Sequence, residues 1–331
     1  MNNNYFDNPA LYLEKEQQIQ EIRKYGMVAG ICVLSFFAIQ ELLSVALIAL
    51  GFYDLYQNDT LFGQSFELIV TVTAICVPFL LAGKYFSKKT EYDVIPAGKA
   101  NRTSLALLAV PAGAGLCLIA SYVTAYASMI PEIFGFKFTM PDMTPPSSGY
   151  ELFIYLLRLT LIAGVIEETC FRGVILQPLR KYGNWFAILM SAVIFALIHC
   201  NLVQAPFALL AGMVIGYFTV VTESLWVGIA IHIINNGISA LIGQLSASMG
   251  VDTANVIGTY IIFGTIIIGL ACCVFFVILR GKIAFDRETE IYGDRIHLLS
   301  KREKAKAFFG NLPMVLAIVA VCWYTHYYIS I

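Results

Sequence analysis

The chain has 331 residues, of which 59% are hydrophobic and only 13% are charged, and its mean hydropathy is +0.75. Soluble domains are about a quarter charged, so this composition excludes an ordinary soluble enzyme and a disordered chain. The 21 Lys and Arg residues are balanced by 22 Asp and Glu residues. This balance argues against a nucleic-acid partner, which would require a basic excess.

Runs of about 20 apolar residues predict helices that cross a membrane. Nine such runs are present, at residues 27–50, 68–86, 104–128, 152–177, 185–199, 206–221, 225–245, 254–279 and 312–331. The fourth and fifth runs have the least defined ends, so eight to nine spans are expected. A backbone in hydrocarbon must satisfy its own hydrogen bonds, which favours helices. The predicted fold is therefore all-α, a polytopic membrane helix bundle.

The positions of Lys and Arg predict how the chain is oriented, because these residues concentrate in cytoplasmic segments. With the N-terminus inside, 18 of the 21 basic residues lie on the inner side and only Lys137 lies in an outer loop. The remaining two, Arg158 and Arg172, fall within the fourth apolar run. We therefore expect the N-terminus on the cytoplasmic side.

A group of charged residues interrupts the fourth apolar run. Between Ser104 and Leu279 only 12 of 176 residues are charged, and three of them are Glu167, Glu168 and Arg172. Ionisable groups are costly inside a membrane, so they mark functional sites. On a helix Glu168 and Arg172 share a face and can pair, whereas Glu167 points about 100° away and is suited to act as a general base or acid. The alternative is a solvated salt bridge at a helix end.

Two of the four histidines accompany other polar groups in apolar runs. His199 follows Phe195 by four residues, and His232 precedes Asn236 by four, so each pair shares a helix face. A single intramembrane His more often serves as a hydrogen-bonding group between helices. Together, Glu167 and His199 can activate water while His232 and Asn236 donate to an oxyanion, which suits peptide hydrolysis without a cofactor. The alternative is a zinc ion held by Glu167, His199 and His232.

Three motifs carry a family resemblance: Glu167-Glu168-x-x-x-Arg172, Phe195-x-x-x-His199 and His232-x-x-x-Asn236. In this order they resemble the CPBP family of CAAX-type and bacteriocin-processing membrane endopeptidases, also called the Abi family. The resemblance implies an intramembrane endopeptidase with a cavity open towards the cytoplasmic side. It implies that Glu167 and His199 activate water, that His232 and Asn236 form the oxyanion site, and that Glu168 and Arg172 support Glu167.

We accordingly expect three regions: N-terminal spans and loops over residues 1–150, a catalytic core over 151–245, and C-terminal spans over 246–331 with a charged inner loop at 281–308. The expected partners are the lipid bilayer and a membrane-associated protein or peptide substrate, and the expected location is the plasma membrane of a bacterium. Two other functions stay open. One is a non-catalytic immunity or scaffold protein of the same family, and the other is a proton-coupled transporter that uses the Glu and His residues as a relay.

Overall fold

The computed structural model describes residues 9–87, 103–141, 145–146, 149–280 and 298–330. These residues are almost entirely helical, as predicted, with one short antiparallel strand pair. In chain order the elements are α1 (Pro9–Ala49), α2 (Tyr53–Asn58), α3 (Thr60–Ser87), α4 (Thr103–Ser128), α5 (Ile130–Ile133), β1 (Lys137–Phe138), α6 (Gly149–Leu157), α7 (Ala163–Glu168), α8 (Leu176–Leu179), α9 (Asn184–Leu197), α10 (Gln204–Thr222), α11 (Leu225–Met249), α12 (Val251–Arg280), α13 (Lys301–Phe309), α14 (Leu312–His326) and β2 (Ile329–Ser330).

Within the described residues, seven helices are long and apolar enough to cross a membrane. An eighth span is formed if α13 and α14, which meet at an angle of 77°, are counted as one broken span. The fifth predicted span, at residues 185–199, corresponds to α9, which has only 14 residues. At about 1.5 Å per residue it is about 21 Å long, shorter than the hydrocarbon core of a bilayer. The structure therefore supports seven to eight spans, and the count of nine stays a prediction.

Successive long helices run in opposite directions, so the bundle has two ends. The two ends differ in the segments and charged residues that they hold. The end that we call the basic end holds the start of α1, the end of α3 and α13, and it is tied together by ion pairs from Lys15 to Glu303 (2.7 Å) and from Lys181 to Glu21 (2.8 Å). The opposite end, which we call the ladder end, holds α2 and the strand pair, in which Lys137 lies opposite Ser330. This pairing places the segment after α4 and the end of α14 on the same side.

The charged loop predicted at residues 281–308 is only partly described. Residues 281–297 lie outside the described residues, and residues 301–309 form α13. This helix begins at a capping box, in which the Ser300 hydroxyl accepts from the Glu303 backbone N–H and the Glu303 carboxylate accepts from the Ser300 backbone N–H. Its buried Lys304 donates to the Tyr182 carbonyl at 2.6 Å. The helix is therefore joined to the basic end of the bundle.

Small residues let the long helices approach closely at two crossings. A Cβ atom on Gly26 of α1 would lie 1.9 Å from the Phe308 carbonyl oxygen, so only glycine fits against the corner between α13 and α14. Likewise, a Cβ atom on Gly115 of α4 would lie 2.9 Å from the Cα atom of Gly269 in α12. Close backbone contact through small residues is how membrane helices gain packing energy without a hydrophobic driving force. These crossings join α1 to the corner between α13 and α14, and α4 to α12.

Candidate active site

The helix that carries the two adjacent glutamates is irregular on both sides of them. Residues Gly149–Tyr182 form one continuous apolar helix, but Arg158–Ile162 and Thr169–Ile175 are π-helical. The α-helical turn between them, α7, ends at Glu168. Wider i→i+5 turns of this kind are rare and often occur at functional sites, because they reorient side chains without ending the helix. Here they bracket Glu167 and Glu168.

Glu168 is the centre of a buried charge cluster. Its Oε1 atom accepts from Arg172 Nη1 at 3.0 Å and from His232 Nδ1 at 2.6 Å. Glu168 and Arg172 are both 0% exposed. The predicted pairing of these two residues is thus present, and the alternative of a solvated salt bridge at a helix end is wrong. A buried ion pair of this kind is retained only where its geometry and additional hydrogen bonds offset the loss of hydration.

Glu167 faces an open cavity of about 490 Å³ instead of the buried cluster. Its side chain is 15% exposed, and Oε2 lies 3.8 Å from His232 Nε2. His199 lines the same cavity. The structure therefore brings Glu167 and His199 together at one water-accessible surface, with His232 behind them.

His199 lies in a turn just beyond the end of α9, whereas the sequence pattern predicts that it lies on the helix. The helix ends at Leu197, and Cys200 has a left-handed backbone with φ of 52°. His199 Nδ1 lies 2.8 Å from the Phe195 carbonyl oxygen. Because a carbonyl only accepts, Nδ1 carries the proton and Nε2 keeps its lone pair in the neutral ring. The ring is therefore held in one tautomer.

The Asn236 side chain is held by hydrogen bonds to one neighbour on α11 and to one residue of the π-helical turn at Arg158–Ile162. Its Nδ2 atom donates to the Leu159 carbonyl at 2.9 Å, and its Oδ1 accepts from Asn235 Nδ2 at 3.2 Å. A carboxamide has two N–H groups, so one donor of Asn236 stays available beyond the bond to Leu159. His232 and Asn236 share a face of α11, as their spacing predicted.

The Phe195 ring connects the charged cluster to both histidines. Its centroid lies 4.9 Å from that of His199 and 5.9 Å from that of His232, both edge-to-face. The Arg172 guanidinium lies over the ring at 4.6 Å, a cation–π distance. The sequence analysis named Phe195 as part of the Phe195-x-x-x-His199 motif but predicted no role for it. In the structure this one ring contacts all three side chains.

Asn201 was not singled out from the sequence, although it shapes the turn that holds His199. This side chain is 1% exposed, and its Nδ2 donates to the His199 carbonyl at 2.8 Å. Its Oδ1 accepts from the backbone N–H of Gln204, where α10 begins. Asn is a recognised helix-start residue, because its side-chain oxygen can accept from a backbone N–H of the first turn, so this contact was open to prediction.

Two glycines make room for the buried cluster, and nothing in the sequence pattern indicated them. A Cβ atom on Gly212 would lie 3.2 Å from Arg172 Nη2. A Cβ atom on Gly228 would lie 2.5 Å from Thr219 Oγ1 and 3.4 Å from Glu168 Oε2. Which glycines face an ion pair depends on how the helices pack, and that is visible only in the structure.

The substitution Gly228→Ala is expected to destabilise the folded protein by about 1–3 kcal/mol through overpacking against Thr219 and Glu168. The measurement is the midpoint of thermal unfolding of the detergent-purified protein. Gly243→Ala is the matched control on the same helix, since its Cβ atom would have nothing within 4 Å. Equal midpoints for the two variants would contradict the close approach at Gly228.

The zinc ion that the sequence leaves open would be held by Glu167, His199 and His232. Within the part of the chain that the structure describes, no three His, Cys, Asp or Glu side chains are grouped so as to hold a metal ion. Dependence on zinc stays a prediction of the sequence analysis.

Comparison with known proteins identifies the segment that carries this cluster. Residues 149–238 match the family model described as type II CAAX prenyl endopeptidase Rce1-like. This segment is similar to the type II CAAX prenyl endopeptidases. The match covers 90 of the 331 residues, includes all three motifs, and supports CAAX-type intramembrane protease activity in general. No curated protein and no solved structure shows a significant match.

The matched segment holds the buried cluster and contributes Glu167 and His199 to the cavity wall. It begins at the first residue of α6 and ends within α11, just after Asn236. The predicted resemblance is thereby confirmed. With its set of long apolar helices, the chain is an integral membrane protein.

Proposed function

We propose that this chain is an intramembrane endopeptidase that hydrolyses a peptide bond of a membrane-associated protein or peptide by a metal-free mechanism. The observation that carries the proposal is the shared cavity of Glu167 and His199, backed by the buried cluster of Glu168, Arg172 and His232. A water-accessible carboxylate and imidazole at the wall of an otherwise apolar bundle are suited to activating water. The plasma membrane of a bacterium is the proposed location.

In the proposed first step, a water molecule in the cavity gives a proton to the Glu167 carboxylate. His199 orients this water by accepting a hydrogen bond at Nε2, because its Nδ1 proton is committed to the Phe195 carbonyl. The activated oxygen then attacks the substrate carbonyl carbon and forms a tetrahedral intermediate. The proton held by Glu167 passes to the leaving nitrogen when the C–N bond breaks, so the carboxylate is regenerated.

The developing oxyanion is proposed to be stabilised by His232 and Asn236. His232 donates its Nδ1 proton to Glu168, so donation from Nε2 requires the doubly protonated ring, with Glu168 as counterion. Asn236 contributes the N–H group that is not bonded to Leu159. Donors that are already oriented in a site of low dielectric stabilise a developing charge strongly. Glu168 and Arg172 act on the reaction through His232 and are positioning residues.

The test is a comparison of N-terminal peptides from membranes of cells that carry the wild-type chain or Glu167→Gln at equal levels. Termini that arise only with the wild type would support the endopeptidase and would name its substrate. Identical termini would contradict the proposal and favour the immunity or scaffold function. Activity that survives a chelator would support the metal-free mechanism, whereas loss that zinc restores would overturn it.

Asn236→Ala is expected to lower kcat on the substrate so identified by about 10²–10³-fold, as is typical for removal of one oxyanion donor. The measurement is initial rate against substrate concentration in detergent or proteoliposomes. Asn255→Ala, at an exposed position of α12, is the matched control. An unchanged kcat for Asn236→Ala would remove this residue from the oxyanion site.

A further inference from the structure

The π-helical turn at Arg158–Ile162 presents one backbone carbonyl to Asn236. In an α-helix the Leu159 carbonyl would accept from the backbone N–H of Ala163, four residues later. Here that N–H reaches back five residues, to the Arg158 carbonyl. The Leu159 carbonyl accepts from Asn236 Nδ2 at 2.9 Å. The irregular turn is therefore the part of this helix that holds the Asn236 side chain.

The side chain of Arg158 ties the same turn to α3. Its Nη2 atom lies 2.6 Å from Glu67 Oε2 and donates to Gln64 Oε1 at 3.2 Å. Tyr56 of α2 joins this group, because its hydroxyl donates to the other oxygen of Glu67, Oε1, at 3.3 Å. Arg158 directly precedes Leu159, so these bonds fix the backbone beside the carbonyl that accepts from α11.

This group differs from an isolated salt bridge on a protein surface. Exposed pairs contribute little, because water competes with them and both side chains are free to move. The Arg158 side chain is only 16% exposed, and its two acceptors, Gln64 and Glu67, are three residues apart on one face of α3. The Glu67 carboxylate has a second donor in Tyr56. The arginine is therefore held from two sides, and the π-helical turn is held with it.

The residues that hold the turn lie outside the segment that matches the family model. That match begins at residue 149, whereas α2 and α3 end at Asn58 and Ser87. Neither Arg158 nor Glu67 belongs to the three motifs of the sequence. The geometry of Asn236 therefore depends on a part of the chain that those motifs do not include.

We infer that Arg158 and Glu67 are positioning residues, which orient the Asn236 carboxamide for the oxyanion through the Leu159 carbonyl. Donors that are oriented in advance stabilise a developing charge strongly, and a displacement of about 1 Å can lower a rate by about 10²-fold. The effect on rate rests on the proposed endopeptidase function. The effect on the Asn236 side chain needs no substrate and can be tested alone.

The first experiment observes the Asn236 side chain by NMR, in full-length protein that carries isotope-labelled asparagine and is purified in detergent. Loss of one carboxamide signal in Asn236→Ala identifies the signal of this residue. Arg158→Met and Glu67→Ala are each expected to shift it. Glu41→Ala is the matched control and should not, since this exposed carboxylate also accepts from a tyrosine, but from one on α14. An unshifted signal in Arg158→Met and Glu67→Ala would overturn the inference.

Both variants are expected to fold, because neither leaves a charge buried without a partner. Glu67 is 38% exposed at the cavity, and Arg158 keeps its bond to Gln64 when Glu67 is removed. Arg158→Lys is the conservative variant. A single nitrogen of Arg158 makes both bonds, so a lysine ammonium can replace it. Arg158→Lys should keep the signal of the wild type, and a shift as large as that of Arg158→Met would contradict the ion pair as its cause.

The second experiment measures kcat and KM on the substrate that the Glu167 comparison identifies. Arg158→Met is expected to lower kcat by about 10–10²-fold with little change in KM, because it displaces a group that acts in the transition state. In an Asn236→Ala background the same change should cause no further loss, since the two residues act as one unit. A loss of equal size in both backgrounds, or a raised KM, would overturn the inference and make Arg158 a direct substrate contact.

The two proposals fail in different ways. If no peptide terminus depends on Glu167, the endopeptidase function is contradicted, while the NMR signal still decides whether Arg158 and Glu67 orient Asn236. If cleavage depends on Glu167 but Arg158→Met has the kcat of the wild type, the endopeptidase function stands and the positioning role is wrong.

Discussion

Glu167→Gln is expected to lower the rate of peptide hydrolysis by about 10²–10⁴-fold, the usual contribution of a general base. Gln has nearly the same shape as Glu but cannot take the proton of the attacking water. The Glu167 side chain reaches the cavity and its closest charged contact is the 3.8 Å approach to His232. Because the buried cluster is built on Glu168, the loss of the Glu167 charge leaves that cluster intact, and the amount of folded protein should not change.

The measurement is single-turnover hydrolysis of the identified substrate by purified protein, alongside the unfolding midpoint. Glu132→Gln, at an exposed glutamate of α5, is the control for loss of one carboxylate at the ladder end. It should retain both rate and midpoint. Full turnover by Glu167→Gln would show that another group removes the proton. A fall in rate that tracks a fall in midpoint would assign Glu167 to folding instead of chemistry.

The sequence was sufficient for the fold class and for the pairing of Glu168 with Arg172, because each rests on a strong local regularity. Long apolar runs require helices in a bilayer, and four-residue spacing places Glu168 beside Arg172 on one helix face. The pairing of Glu168 with His232 joins two helices that are 64 residues apart. No spacing rule reaches that far, and the family resemblance implied only that both residues belong to one site.

Other structural features are choices between backbone conformations or helix packings of similar energy. A local sequence pattern could therefore not predict them. The π-helical turns at Arg158–Ile162 and Thr169–Ile175 differ from an α-helix by one residue in the span of each hydrogen bond, and the spacing of apolar residues does not distinguish the two. The end of α9 before His199 is likewise set by the tertiary turn at Cys200. The role of Gly228 depends on how closely two helices cross. These features set where each side chain lies within the site. The residues of the site were therefore easier to predict than the distances between them.

Arg172 is expected to be the residue whose loss most reduces stability. It is 0% exposed, donates to Glu168 at 3.0 Å and lies over the Phe195 ring at 4.6 Å. Removal of one partner from a buried ion pair typically costs about 3–5 kcal/mol, because the other charge is left without compensation. Here His232 still donates to Glu168, so the residual carboxylate keeps one bond, but the imidazole loses the fixed geometry that the oxyanion site requires.

Arg172→Ala is therefore expected to lower both the unfolding midpoint and kcat, whereas Arg302→Ala, at an exposed position of α13, should change neither. The double variant Glu168→Gln with Arg172→Met separates the two effects. It removes both charges of the pair, so much of the lost stability should return. Its kcat should stay low, because His232 no longer has a counterion. If the double variant recovered stability and activity together, Arg172 would be a purely structural residue. If Arg172→Ala were as stable as the control, the buried pair would not hold this part of the fold together.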